Sequence, residues 1–354
     1  MRRNYTIRLI ALTLVFVVAP VLVAQPAASR KPAPAPARWR GLIGEYGPED
    51  NILIVLERDG TLQALFKRTQ LYHLFEQSPN AFVIAPESNR AGERLVFTRD
   101  RGGRATAVRI ELSNGPPARP LGTASLLPRR NVEPESGNQL RIKPVRPVAE
   151  LMKEALAAQP PQEQGEFLPA DLVELRKLDP SIHLEIRYAT TNNFLGTKFY
   201  SQARAFMQRP AAEALVRVSK KLKQFGYGLL VHDAYRPWYV TKVFWDATPE
   251  DKHVFVADPS KGSRHNRGCA VDLTLYNLKT GRAVEMVSTY DETTDRAHAD
   301  YPGGTSLQRW HRKLLRDAME AEGFAVYPPE WWHFDYKDWQ KYRIGNVRFE
   351  AIKK

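Results

Sequence analysis

The chain has 354 residues, of which 43% are hydrophobic and 26% charged, and it carries a formal net charge of +13. This composition is ordinary for a globular protein and excludes wholesale disorder. Its single cysteine, Cys269, excludes an internal disulfide and a cysteine-based zinc site, so any metal must be held by His and carboxylate side chains. The positive charge favours anionic surroundings, but the chain has no recognisable nucleic-acid motif, and no nucleic-acid partner is expected.

Residues 1–24 are typical of an export signal. Arginines near the start are followed by an apolar run over 9–23, and Ala24 offers a cleavage point. The alternative is an uncleaved membrane anchor. However, the run is short for a spanning helix, which needs about 20 apolar residues, and Pro20 interrupts it. We therefore expect an exported protein, either periplasmic or secreted.

Two regions of different composition follow the signal. Residues 25–38 are rich in Pro and Ala, which favours an extended linker. Residues 39–145 are predicted to form an all-β module, a small antiparallel barrel or sandwich, because short β-prone runs alternate with turn signals. The predicted strands are 52–57, 62–66, 81–85, 94–98 and 106–112.

The remaining chain is predicted to contain a linker helix and a second domain. Within the linker, 146–166, apolar residues at helical spacing predict a helix over 147–158. Residues 167–354 mix both element types, which indicates an α+β domain with a mostly antiparallel sheet. The predicted helices are 210–225 and 310–322, and the predicted strands are 227–235, 269–276 and 324–327.

Candidate chemistry lies in three segments of the second domain: 233–237, 263–272 and 330–333. A hydrolytic zinc site needs three protein ligands and an open position for water, whose pKa the metal lowers to about 7. It also needs a base that is not itself a ligand. The three segments contain these residue types.

The residue types can be matched to those requirements. His265, Asp272 and His333 can supply two imidazoles and one carboxylate, and Glu330 can supply the base. Gly268 permits a tight turn between the first histidine and the strand that carries Asp272. If 330–333 forms one helical turn, Glu330 and His333 share a face.

These motifs resemble the VanX-type D-alanyl-D-alanine dipeptidases, relatives of the zinc D,D-carboxypeptidases, over about 167–345. The family pattern Ser-x-His-x-x-Gly-x-Ala-x-Asp is matched at 263–272, and Glu-Trp-Trp-His at 330–333. Further matches lie at 188–190, 193–194 and 235–237. The resemblance implies a zinc D,D-peptidase-like α+β domain with an antiparallel sheet.

The resemblance also implies roles for single residues. It implies one zinc ion per chain, held by His265, Asp272 and His333. Glu330 would take a proton from the zinc-bound water and pass it to the leaving amine, and Arg236 would stabilise the oxyanion at the scissile carbonyl. Asp291 would bind the free ammonium of the substrate, with Ser263 assisting.

The implied function is zinc-dependent hydrolysis of the D-alanyl-D-alanine dipeptide or a related small peptide. Two alternatives stay open: a zinc D,D-carboxypeptidase or endopeptidase acting on longer peptidoglycan peptides, and an inactive zinc-binding protein of the cell wall. The charge and the implied substrate also indicate an association with the cell wall.

The catalytic domain of this family usually stands alone, whereas this chain adds the module 39–145. Segments 44–50 and 95–100 resemble the lipocalin-like β modules of some secreted hydrolases. The module has no cluster of His, Asp and Glu with ligand spacing. We therefore expect it to be separable from catalysis.

Overall fold

The computed structural model describes residues 30–112, 125–130 and 141–352. The predicted export signal 1–24 and the first residues of the predicted linker lie outside these ranges. Among the described residues, no helix combines the length and apolar character needed to cross a bilayer. The first element is a short helix, α1 (Ala37–Arg40), which buries Trp39 in the core of the β module.

Eight strands form one antiparallel sheet in which each strand pairs with the next along the chain. They are β1 (Gly44–Tyr46), β2 (Leu53–Arg58), β3 (Thr61–Phe66), β4 (Gln70–Ser78), β5 (Ala81–Ile84), β6 (Glu93–Arg99), β7 (Ala105–Leu112) and β8 (Ser125–Pro128). A bridge between Tyr46 and Arg129 brings the end of β8 back to β1, so the sheet is nearly closed. The predicted all-β module is therefore a barrel and not a sandwich.

Hydrophobic side chains fill the inside of this barrel. They include Leu53, Val55, Phe66, Phe82 and Phe97. The sequence pattern located five of the eight strands and missed β1, β4 and β8. Strand β4 was not predicted because it buries only Leu74 and so lacks the alternation of apolar and polar residues that marks a half-buried strand.

The second half begins with helix α2 (Val148–Ala157), as the sequence predicted. The elements that follow are β9 (Leu172–Glu174), α3 (Leu175–Leu178), β10 (His183–Leu184), β11 (Phe206–Gln208), α4 (Arg209–Lys223), β12 (Tyr227–Asp233), α5 (Trp238–Ala247), β13 (Ala270–Asn277), α6 (Ser306–Glu320), β14 (Phe324–Tyr327) and β15 (Glu330–Tyr336). Helix α2 packs against α5 and adds Leu151 and Ala155 to the core of this half.

A five-stranded sheet in the order β10-β12-β13-β15-β14 forms the centre of this half. All its pairings are antiparallel except that of β10 with β12, so the predicted α+β class with a mostly antiparallel sheet is confirmed. Helix α6 begins at Ser306, earlier than predicted, because Thr305 and Gln308 form a capping box at its N-terminus. Helix α5 and strand β15 were not predicted from the sequence, and neither were the short elements β9, α3, β10 and β11.

Candidate active site

Three neighbouring strands place their functional residues in one row. In the register of the sheet, Asp272 on β13 lies opposite His333 on β15 and opposite Asp233 on β12. Directly opposed residues of antiparallel strands have Cβ atoms about 4.5–5.5 Å apart. Strand pairing therefore brings together side chains that are distant in sequence.

A tight turn before β13 carries His265 to the same row. The turn is closed by a hydrogen bond of 3.0 Å from the Gly268 N–H to the His265 carbonyl, and Gly268 has a φ of 69°. A Cβ atom at this position would lie 2.6 Å from Leu172 Cδ2. The neighbouring Cys269 is buried, and burial raises the pKa of its thiol to about 12, so it acts as a packing residue.

We expect Gly268→Ala to destabilise the fold by more than the left-handed backbone alone explains. Gly281 is the matched control, because it has a φ of 68° and no atom of the described residues lies within 4 Å of the place that a Cβ atom would take there. Gly281→Ala should cost about 1–2 kcal/mol, the penalty for a non-glycine residue in this region. Urea unfolding should show a clearly larger loss of unfolding free energy for Gly268→Ala than for Gly281→Ala. Equal losses would mean that the turn does not need the close approach to Leu172.

The side chains of His265, Asp272 and His333 are buried and converge. The distances are 3.2 Å from His265 Nε2 to His333 Nδ1, 3.4 Å from His265 Nε2 to Asp272 Oδ1, and 3.0 Å from His333 Nδ1 to Asp272 Oδ1. Ligands of a tetrahedral zinc ion lie roughly 3.3 Å apart, given zinc–ligand distances of about 2.0–2.2 Å. The donor set and its spacing therefore fit one zinc ion.

Each of these side chains is oriented by a further partner. His265 Nδ1 lies 2.7 Å from the Ala234 carbonyl, and His333 Nε2 lies 2.9 Å from Asp335 Oδ1. Such hydrogen bonds fix the ring orientation and leave the other nitrogen for a metal. Asp335 was not predicted as a site residue, although its position two residues after His333 in a strand puts both on one face.

The carboxylate of Asp272 is held in its charged form. The Tyr290 hydroxyl donates to its Oδ2 at 3.0 Å. Burial alone would raise the pKa of Asp272, but the two neighbouring imidazoles outweigh it and hold the pKa well below its usual range. Tyr290 was also missed, since no local pattern marks it.

Glu330 lies beside the His265–Asp272–His333 group, although 330–333 does not form the helical turn that was considered for it. Residues 330–336 form strand β15, in which positions three apart would normally face opposite sides. The register between β14 and β15 shifts at this point: Val326 pairs with Phe334, whereas Tyr327 pairs with Glu330. This irregularity brings Glu330 Oε2 to 3.8 Å from His333 Nδ1. Burial raises the pKa of Glu330, which suits a proton acceptor.

Arg236 lies on the other side of the group and is held by Asp233. Its guanidinium donates to Asp233 Oδ2 at 2.9 and 2.8 Å and lies 3.9 Å from Asp272 Oδ2. Tyr200 donates to the other oxygen of Asp233 at 2.8 Å. The cation is thus fixed next to the site by the buried carboxylate of Asp233, for which the sequence predicted no role.

Asp291 adds a second carboxylate at the site. It adopts a left-handed backbone with a φ of 59°, and the Tyr188 hydroxyl donates to its Oδ2 at 3.1 Å. Burial, together with the charges of Asp272 and Glu330, raises the pKa of Asp291 to about 8. A carboxylate with a raised pKa gains from a cationic partner, because the partner stabilises the charged form.

One cavity of about 760 Å³ is lined by every residue that the sequence assigned to the site. These residues are Arg236, Ser263, His265, Asp272, Asp291, Glu330 and His333. Ser263 accepts a hydrogen bond of 3.2 Å from the His265 N–H, so it sits on the turn that carries this histidine. The structure thus brings together all seven side chains.

A buried His-Asp-His group beside a carboxylate and an arginine is a combination that hydrolytic zinc sites use. Comparison of the sequence with known families also indicates a hydrolase. Residues 169–350 match the peptidase M15 family, described as D-ala-D-ala dipeptidase. The chain belongs to this family and is a peptidase, which confirms the resemblance in the sequence motifs.

Relatives described as D-alanyl-D-alanine dipeptidases match about half of the chain. It is 34% identical to a D-alanyl-D-alanine dipeptidase of Escherichia coli (strain K12) over 182 residues, which are 51% of this chain and 93% of the relative. It is 36% identical to one of Enterococcus faecium, over 46% of this chain and 90% of the relative. A third, from Streptomyces coelicolor, is 32% identical over 48% of this chain and 94% of the relative.

Proposed function

We propose that this protein is a zinc-dependent dipeptidase that hydrolyses the D-alanyl-D-alanine dipeptide. The observation that carries the proposal is the convergence of the seven side chains on one cavity. The similarity to relatives described as D-alanyl-D-alanine dipeptidases supports the choice of substrate.

The residues around the donor set suit hydrolysis of a peptide bond. A bound zinc ion supplies a Lewis acid and a water of lowered pKa. Glu330 accepts a proton from the attacking water and returns it to the leaving amine, for which its raised pKa is an advantage. Arg236 offers a fixed cation to the oxygen on which negative charge develops, and because Asp233 holds it, no reorganisation is needed.

In this proposal, Asp291 makes the enzyme selective for dipeptides over longer peptides. Its carboxylate, with Ser263 assisting, pairs with the free ammonium of a dipeptide. A longer peptide has an amide at that place and offers the carboxylate no cation. Sites built around such a polar contact reject analogues that lack it.

A second candidate is a D,D-carboxypeptidase or endopeptidase that acts on longer peptidoglycan peptides. Two alanines fill only part of a cavity of about 760 Å³. The cavity also reaches the exposed apolar residues Val254 and Phe255, which are 80% and 45% exposed. A longer peptide could cover them.

A cleavage panel tests both candidates. We expect the full-length protein to hydrolyse free D-Ala-D-Ala, and to act poorly on its N-acetylated form and on a pentapeptide that ends in D-Ala-D-Ala. Chelation should abolish hydrolysis and zinc should restore it, with metal analysis giving one zinc ion per chain. Product formation can be followed by chromatography.

The variant Asp291→Asn provides the control for ammonium recognition. The preference for the free over the acetylated dipeptide should narrow in this variant, since its amide no longer pairs with a cation. Equal cleavage of both dipeptides by the parent protein would refute ammonium recognition and favour the carboxypeptidase. A full complement of zinc in His265→Ala would refute the metal assignment.

We also propose that the protein is exported and works near the cell wall. The signal-like residues 1–24 and the net charge of +13 support this. Cell fractionation and determination of the mature N-terminus would test it, and recovery of the intact chain from the cytoplasm would contradict it.

A further inference from the structure

Strand β2 belongs to two hydrophobic cores. Leu53 and Val55 point into the barrel, whereas Ile52, Ile54 and Leu56 are part of the core of the peptidase half. Successive side chains of a strand point to opposite faces. An independent barrel would present polar residues on its outer face. The outer face of β2 is instead buried against the peptidase half.

The end of β2 also forms hydrogen bonds with the N-terminal region of α6. Glu57 is 2% exposed, and its Oε2 accepts a hydrogen bond of 2.8 Å from the Ser306 N–H. The Glu57 N–H donates to the Gly304 carbonyl at 3.1 Å, and Arg309 donates to the Glu57 carbonyl at 2.7 Å. A carboxylate at a helix N-terminus satisfies backbone donors and interacts favourably with the helix dipole.

A second contact lies closer in sequence to Asp291. Arg68, in the turn between β3 and β4, has a φ of 60° and extends to Asp295, with 2.7 Å between Arg68 Nη2 and Asp295 Oδ2. Arg68 also pairs with Glu49 of the barrel. Asp295 lies four residues after Asp291, on the same loop.

We propose that the barrel positions the segment 291–306, and with it Asp291, for substrate binding. The barrel holds this segment at Asp295 near one end and at Gly304 and Ser306 at the other. Asp291 is a non-glycine residue in the left-handed region, a conformation that persists only when its surroundings fix it. The barrel supplies part of those surroundings.

This inference rests on the proposed role of Asp291 in binding the substrate ammonium, and it differs from the expectation that the module is separable from catalysis. Removing the barrel would expose the apolar surface that Ile52, Ile54 and Leu56 cover. Removing only the ion pair between Arg68 and Asp295 should weaken substrate binding and leave the rate of the chemical step nearly unchanged. KM should therefore change more than kcat.

The test uses the full-length chain with Arg68→Ala, Asp295→Ala and the double variant. Arg94→Ala is the matched control, because Arg94 pairs with Glu111 at 2.6 Å within the barrel. We expect each single variant to raise KM for D-Ala-D-Ala about two- to fivefold, the change that a partly exposed ion pair corresponds to. The KM of the double variant should be no higher than that of the single variants, since both single variants remove the same contact between Arg68 and Asp295.

Hydrogen exchange gives a readout that is independent of the substrate. Amides of 291–306 should exchange faster in both single variants and remain unchanged in Arg94→Ala, with the melting temperature preserved in all. Unchanged exchange and KM in both single variants would overturn the proposal. If the parent protein does not cleave D-Ala-D-Ala, the proposed function fails, but the exchange rates still decide whether the barrel holds the segment.

Discussion

Replacing Glu330 with glutamine is expected to lower kcat for dipeptide hydrolysis by about 10²–10⁴-fold, the usual contribution of a general base. Glutamine keeps the size and shape of the side chain but cannot accept a proton. Glu330 lies 3.8 Å from His333 Nδ1 and is not one of the three converging donors. Zinc content should therefore match that of the parent protein.

Asp258→Asn is the matched control for this experiment. Asp258 lines the same cavity, and its carboxylate accepts hydrogen bonds from Ser260 and not from His265 or His333. The same change from carboxylate to amide should leave kcat unchanged there. If Glu330→Gln kept the parent kcat with a full zinc complement, another group would have to serve as the base.

Arg236→Met is expected to have two effects that can be separated. Loss of a preorganised group that stabilises developing charge typically lowers kcat by about 10²–10³-fold. The substitution also leaves the buried carboxylate of Asp233 without its cation. Breaking such a pair by removing one partner typically costs about 3–5 kcal/mol of stability.

The double variant Asp233→Asn/Arg236→Met distinguishes these effects. The neutral amide can still accept the hydrogen bond from Tyr200, and no charge is left uncompensated. Urea unfolding should show that the double variant regains most of the lost stability, while kcat stays low. Recovery of kcat along with stability would mean that Arg236 acts only through the fold.

The local motifs could be predicted because they depend on neighbours along the chain. Helix α4 and strand β13 followed from the spacing of their apolar residues, and the spacing of His265, Gly268 and Asp272 gave the donors on one turn and one strand. The helical turn considered at Glu330 did not form, although Glu330 does lie beside His333. Spacing alone indicated a helical turn, whereas pairing with β14 forms a strand with an irregular register.

By itself, the sequence determined the class of fold, the strands with clear alternation and the chemical identity of the site residues. Only the tertiary structure decided how they meet. The alignment of Asp233, Asp272 and His333 depends on the register of three strands, which burial of whole sheet faces determines. The packing of β2 against the peptidase half has the same origin. A run of apolar residues indicates that both faces of a strand are buried, but the partner of each face depends on how distant parts of the chain fold together.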